Sequence, residues 1–493
     1  VSRPAASAIP RASICGLAAA AIAVAGARVI AQTRHYGFVG LDTLPLLARN
    51  RVQGPGDVLS LFSEPLLGAG FHPWYYRPVF SASLALDHAL WGLDPLGAQI
   101  TGVLCYAACG ALLYALCRAL APVASPAAAL LALAVFLLHP VHWEVLPAPA
   151  RRPDYLALLF SLASLTAQAR AAHRGDRWPP WPAVFAFLAF ASKETSLVLP
   201  LLSLAVAVIC IPASAPPPRL RAALRAVAPV LGAAAAIGLI RLAVLGSPLG
   251  GRPTALSDPA SGVRIVPLLL LRMMTPAQAG GLVAALAFGA LALGASDGPR
   301  RARAASASLP LLGVAAVWLA AFGALYSAAG GFQGWYALLP TTGLALAVGG
   351  LAALALDALA GAGVRVGLTA GASLVALLGT VAALGLRSPL VRAPKDWALA
   401  TQQMNHYLAA VDAAIDAMPR GGGRIEFPRK PPLYVKRSGD GPTIPTAFVL
   451  SPAGVEAWLQ LAHPDRSIRI EGRPRAAPAT EDDLVIVLGG AAR

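Results

Sequence analysis

The chain is predicted to be an α-helical polytopic membrane protein of about eleven transmembrane helices (a span needs about 20 apolar residues), followed by a small α/β soluble domain. Three observations carry this. The 493 residues are 57% hydrophobic and only 13% charged, with a mean hydropathy of +0.65, far too apolar for a soluble chain of this length. Apolar runs long enough to cross a bilayer recur along the chain. The runs are continuous Ala, Leu and Val rather than alternating, which selects helices over a membrane barrel.

In order, the expected spans lie near residues 14–32, 98–118, 124–141, 154–170, 181–192, 194–212, 226–246, 272–295, 307–328, 336–358 and 366–386. The first follows Arg3 and Arg11 and ends near Gln32; its length favours an uncleaved span over a signal peptide cut near Ala25-Gly26-Ala27. The fifth is short, and 264–275 reads as an interfacial or re-entrant helix. Basic loops orient the bundle. With eleven spans, Arg118, Arg170, Arg174, Arg177, Arg219, Arg221, Arg225, Arg300, Arg301, Arg303 and Arg365 alternate into the cytoplasm with the N-terminus. The long loop 33–97, the segment around His139–Asp154, Ser192-Lys193-Glu194, the 247–263 loop, the 329–335 loop and everything after 387 then face the outside of a cell inner membrane. The net charge of +16 is concentrated in residues 1–386, where 25 Lys and Arg stand against 12 Asp and Glu. Set mostly in short loops, that excess is topology signal and not a nucleic-acid surface. Pro216-Pro217-Pro218 reads as a cytoplasmic turn.

Residues 391–493 change character: charges mix, and Pro and Gly punctuate. An amphipathic helix is expected at 396–418, with strands at Leu433–Val435 and Leu484–Leu488. The domains are therefore 1–390, membrane-embedded with a long first outer loop, and 391–493, extracytoplasmic. Cys15, Cys105, Cys109, Cys117 and Cys210 all fall in or beside apolar runs and read as small core residues rather than a disulfide or metal set.

The densest polar segment is His139-Pro140-Val141-His142-Trp143-Glu144 with Arg151-Arg152-Pro153-Asp154, which sets two His, two Arg, one Glu and one Asp between apolar runs. Ionisable groups at membrane depth are costly unless paired or wet, so such a cluster is a functional candidate. Pro140 interrupts the helix that would align His139 and His142, which argues against a zinc site.

The spacing of His139, Pro140, His142, Glu144, Arg152 and Asp154 resembles the signature of the transmembrane O-mannosyltransferases that modify cadherins, and of their bacterial relatives; Trp143 and Arg151 depart from it. Three other segments resemble that family: Tyr75-Tyr76-Arg77-Pro78 with Leu86-Asp87-His88-Ala89-Leu90-Trp91-Gly92, then Ser192-Lys193-Glu194-Thr195, and Gly334-Trp335-Tyr336 with Pro340 and Gly343, where the family's Arg is absent. The resemblance covers about residues 10–390. It implies a GT-C-type glycosyltransferase that moves a sugar, in a mannosyltransferase-like reaction, from a polyprenyl-phosphate carrier to a protein or glycan hydroxyl in one inverting displacement. It also implies that the catalytic carboxylate sits just after the first span. Asp42 is the acid at that position, in Leu41-Asp42-Thr43, where relatives carry two adjacent acids. A divalent metal is left open by that loss.

The chemistry needs a base for the acceptor hydroxyl and cations for the departing phosphate. Asp42 is the expected base; Arg152, Lys193, Arg77 and His142 are the expected phosphate holders. Glu144, Asp154 and Glu194 are expected to fix the cations by pairing, and His139 to end a helix. Arg252 and Arg264 are further cations in an outer loop, and Trp74, Tyr75 and Tyr76 form an interfacial aromatic belt. Two rival classes stand beside this reading. One is a transporter or flippase for lipid-linked sugar, which predicts charges inside many spans. The other is a non-catalytic relative, suggested by the missing second acid and the missing late Arg.

Overall fold

A computed structural model describes residues 11–68, 74–176, 179–211, 219–249, 259–329, 333–360, 362–391, 394–419, 423–427, 431–435, 447–466, 468–471 and 484–488. The expected basic positions Arg3, Arg177 and Arg252, and the Pro216-Pro217-Pro218 turn, lie outside the described residues.

Helix α1 (Arg11–Thr33) is followed by α2 (Thr43–Arg49), α3 (Pro55–Ser63) and α4 (Pro78–Trp91), then by α5 (Pro95–Leu120) and α6 (Pro126–Leu138). Two 3-10 turns, Pro140–Glu144 and Pro149–Arg151, lead into α7 (Arg152–Arg174). Next come α8 (Pro180–Ser192), a 3-10 turn at Glu194–Val198, α9 (Leu199–Cys210), α10 (Arg219–Leu245), α11 (Pro259–Met273), α12 (Pro276–Ala295) and α13 (Gly298–Ala329). After a 3-10 turn at Gly334–Ala337 come α14 (Leu338–Leu359) and α15 (Val364–Gly385). The remainder holds α16 (Lys395–Asp416), β1 (Gly423–Phe427), α17 (Pro452–Ala462), β2 (Ile468–Glu471) and β3 (Leu484–Leu488). Proline opens many of these helices: it sets φ for the first turn, where no N–H partner is needed.

The protein is a helical polytopic membrane protein. Among the described residues, eight helices are long and apolar enough to cross a bilayer. The other three expected positions are helical too, but differ in kind. Helices α8 and α9 have 13 and 12 residues, below the length a straight span needs. Helix α7 is long enough but too polar, and the reason is its neighbours. Ser164 Oγ donates to Pro182 O at 2.8 Å, and Gln168 Nε2 donates to Ala226 O at 3.2 Å, so its polar side chains are spent on adjacent helices. Four of the five cysteines (Cys105, Cys109, Cys117 and Cys210) are buried, and all five are free.

The chain divides into two compact units. The first comprises residues 1–31, 103–142 and 153–392. Its centre is the span Gly334–Leu359, 83% buried, against which α6 and α13 pack; α12 pairs with α15, and α8 and α9 lie on α10. Trp318 Nε1 donates to Leu339 O at 2.7 Å and locks α13 to α14. Helix α11 covers most of the stretch read as interfacial and leaves Leu270 and Leu271 exposed.

The second unit comprises residues 32–102, 143–152 and 393–493. This differs from the expected division at 390–391, because the C-terminal residues share their unit with the loop that follows α1. The backbone shows why. Gly40 N donates to Val449 O at 3.2 Å, Ser451 Oγ to Leu41 O at 2.9 Å, and Gly37 N to Thr401 Oγ1 at 3.3 Å, while α17 packs on α2. The three strands form an antiparallel sheet of order β1-β3-β2, with fully buried Ile486 opposite Ile425 and Ile470. The strand expected at Leu484–Leu488 is β3 and the amphipathic helix is α16. The strand expected at Leu433–Val435 is only an isolated bridge, Tyr434 to Phe448, because its neighbours in the chain include Pro431 and Pro432, which cannot donate to a ladder.

Candidate functional site

Within the first unit, His139 ends α6, its backbone held extended by the following Pro140. Its Nε2 lies 2.6 Å from Met273 O and must donate, while Nδ1 accepts from Val141 N at 3.1 Å; the ring is a fully satisfied neutral imidazole. His142 is completely buried, with Nε2 on Phe136 O at 2.5 Å and Nδ1 on the Tyr155 hydroxyl at 2.6 Å. Tyr106 and Phe136 meet its ring edge-on at 4.7 and 4.8 Å, and Tyr155 stacks on it. The expectation that His142 holds a phosphate is therefore corrected: both ring nitrogens are spent inside an aromatic cage.

The same unit brings two distant motifs together. Lys193 Nζ pairs with Asp154 Oδ1 at 2.6 Å, with both side chains almost fully buried, and the ammonium lies 5.6 Å from the centre of the Tyr336 ring. Tyr336 in turn stacks face to face on Tyr326 at 4.9 Å. Lys193 sits where α8 ends and the next 3-10 turn begins, with an extended backbone there. Glu194, expected to help fix the cations, opens that turn and is half-buried.

Within the second unit, Arg152 is the most enclosed cation of the signature. Its Nη2 pairs with Asp87 and donates to Ala98 O at 3.1 Å, and its Nη1 lies 3.4 Å from Ser83 O and Oγ. The side chain is 1% exposed. Arg152 is thus not available to grip a phosphate with its planar fork, which corrects the second expected phosphate holder, and its carboxylate partner is Asp87. Thr101 Oγ1 donates to the other Asp87 oxygen at 2.6 Å. Glu144 lies 3.9 Å from Arg151, whose guanidinium also donates to the Glu144 carbonyl and sits over the rings of Trp397 and Phe448. Arg151, which departs from the resembled signature, ties this segment to the C-terminal residues Trp397 and Phe448.

Asp42 is exposed and stands at the N-cap of α2 without a side-chain capping bond. The loop before it is closely built. Gly40 has φ +113°, and a Cβ there would lie 2.8 Å from Thr43 Oγ1. Arg77, half-buried, precedes α4 and lies 4.5 Å over the Tyr75 ring. Among the described residues, no group of three His, Cys, Asp or Glu side chains forms a metal cluster.

No family model matches the chain, and no curated protein or solved structure is similar to it. The functional reading rests on the motif residues and on their contacts. Sequence reasoning overlooked the roles of Asp87, Tyr155 and Arg151. For Asp87 the signal was present: an acid in an apolar helix needs a counter-charge, and Arg152 pairs with it while Asp154, the acid next to Arg152 in the motif, pairs with Lys193. For Tyr155, one residue past the signature, nothing in the spacing marked it.

Proposed function

We propose that the chain is an integral-membrane glycosyltransferase, transferring a sugar from a polyprenyl-phosphate donor to a protein or glycan hydroxyl. One observation supports it above the others: contacts join the separate segments that carry the resemblance. Asp87 of the Leu86–Gly92 segment pairs with Arg152, while Lys193 of Ser-Lys-Glu pairs with Asp154 and faces Tyr336 of the late Gly-Trp-Tyr segment. Under this reading Asp42, the exposed acid, takes the acceptor proton. Lys193, held on Asp154, supplies a point charge for the donor phosphate. Arg77 is a second phosphate cation, while Arg152, His142, Glu144 and Asp154 hold the scaffold. The chain then crosses the inner membrane about eleven times, the short α8 and α9 included, with the N-terminus cytoplasmic and residues 391–493 extracytoplasmic. The donor is the lipid-linked sugar, and no resident metal is assigned.

The test is transfer of labelled hexose from polyprenyl phosphate by the reconstituted full-length protein. Asp42→Asn is expected to lower the rate about 10²- to 10⁴-fold, the range of general-base catalysis, with folded protein unchanged. An unaltered rate removes Asp42 as the base. A second reading, a non-catalytic relative, is favoured by one observation: the Arg152 Nη atoms and both His142 ring nitrogens are taken up within the protein. It predicts no transfer by the wild type with any polyprenyl-phosphate hexose.

A further inference from the structure

The second unit contains a cleft of about 390 Å³ that none of the signature residues enters. It is walled by the loop after α1, the turn before α5, and the helices α16 and α17. The size is that of a small-molecule site. Its lining is unusual for an apolar chain. Trp458 is half-buried, with its indole N–H fixed on Asp412 Oδ1 at 2.8 Å, so its orientation is set. Asp412 also accepts from His463 at 3.0 Å. Asn405 and Asp94 present an exposed amide and an exposed carboxylate.

The deciding group is Tyr36. It is only 4% exposed, yet its hydroxyl has no hydrogen-bond partner among the described residues, and it lines this cleft. A buried hydroxyl without a partner costs about 1–3 kcal/mol, so a group held this way marks a place where a ligand completes the bond. The ring is fixed edge-on against Trp143 at 6.4 Å. Burial, with Asp396 nearby, pushes its pKa up to about 12, so the hydroxyl is a neutral donor at physiological pH.

We propose that this cleft binds a neutral saccharide. An aromatic face beside carboxylate, amide and hydroxyl groups suits a ring with an apolar C–H face and many hydroxyls. Charges of both signs, Arg34 against Asp94 and Asp412, disfavour an anionic ligand. Among the lining residues no strand offers an edge on which a peptide backbone would pair. The inference rests on the transferase reading only in making the bound saccharide an acceptor glycan; the binding itself does not depend on it.

The test is calorimetric titration of the purified full-length protein, without any lipid-linked donor. The probes are maltotriose, cellotriose, mannotriose and chitotriose, beside a Ser/Thr-rich peptide. At least one trisaccharide is expected to bind. Tyr36→Phe is expected to weaken it by about 2- to 12-fold, the worth of one hydrogen bond, with melting of the free protein not lowered, since an unpartnered hydroxyl is removed. Asn405→Ala, at an exposed position that carries no fold risk, is expected to weaken it similarly. The inference is overturned if none of the four binds, if both variants bind as tightly as wild type, or if the peptide alone binds. Saccharide binding without transfer overturns only the proposed function, and transfer without saccharide binding overturns only this inference.

Discussion

Replacing Asp87 with Ala tests whether the signature arginine is scaffold. Arg152 is 1% exposed and Asp87 5%, and the remaining partners of the guanidinium are neutral: the Ala98 carbonyl at 3.1 Å and Ser83 at 3.4 Å. Removing the carboxylate therefore strands a buried cation. Breaking such a pair from one side costs about 3–5 kcal/mol. The loss of the Thr101 bond adds little, because Thr101 Oγ1 also donates to Gly97 O at 3.2 Å. At about 2–4 °C per kcal/mol for a unit of this size, the second unit should melt roughly 6–20 °C lower. Differential scanning fluorimetry in detergent reads this directly. The control is Asp87→Leu combined with Arg152→Met, which removes both charges and keeps the volume; it should recover most of the loss, as buried pairs exchanged for apolar ones commonly do. A single variant that melts within 2 °C of wild type, at the ~2–4 °C per kcal/mol above, would refute the argument. So would a double variant no better than the single.

The loop before Asp42 gives a second expectation: Gly40→Ala forces a side chain into positive φ with a Cβ 2.8 Å from Thr43 Oγ1, and should destabilise the unit by about 1–3 kcal/mol by thermal melting. In the same loop, Gly37→Ala would place a Cβ 2.5 Å from Met404 Cε, the free end of a flexible side chain that can swing aside, so melting should fall less than for Gly40→Ala. His88 has its pKa lowered by burial and then by Arg51, so the folded state binds fewer protons than the unfolded one. Its contribution is present above the unfolded pKa of about 6.5 and is lost as pH falls below it. The melting temperature of wild type should thus fall relative to His88→Gln in that window, and parallel curves would count against it. Tyr36 and Tyr407 are both pushed up to about 12, mainly by burial. Their contribution holds below pH 10 and is lost toward pH 12, which phenolate absorbance and melting on the alkaline side should show, with Tyr407→Phe flattening the loss.

Helices were legible where apolar runs were long, because hydrocarbon thickness fixes their length and excludes any other backbone. The count was less legible. Helix α7 hides its membrane-like character behind Ser164 and Gln168, whose partners Pro182 and Ala226 are distant in sequence. The C-terminal elements were readable from their own pattern, but their partners were not: Thr401, Val449 and Ser451 meet Gly37, Gly40 and Leu41 across more than 350 residues, and no local rule encodes that. The site residues divide the same way. Lys193 and Asp154 were identified by residue type and only their pairing was new. His142 looked like a ligand because histidines in polar motifs often are, but its cage is built by Tyr106, Phe136 and Tyr155, apolar or aromatic positions that carry no motif signal.

Exposure then separates chemistry from scaffold within the signature. In a chain with 13% charged residues, a motif of six ionisable groups suggests catalysis. Yet Arg152 and Asp87, Lys193 and Asp154, and Arg151 and Glu144 are each no more than 9% exposed and each lie beside an opposite charge. Such pairs are strongly destabilising to break and nearly neutral to replace whole. Among the acids expected at the site, Asp42, Glu144, Asp154 and Glu194, Asp42 alone is exposed, on a loop whose glycines and C-terminal contacts fix its backbone. The two kinds of residue must therefore fail differently. Under the proposed function, variants at the pairs should lower the amount of folded protein and total transfer together, leaving kcat per folded molecule near wild type at Arg152 and Glu144. Asp42→Asn should lower kcat with folded protein intact. If Asp42→Asn instead tracked protein amount, the exposed acid would belong to the scaffold, and the proton acceptor would have to be sought elsewhere in the chain.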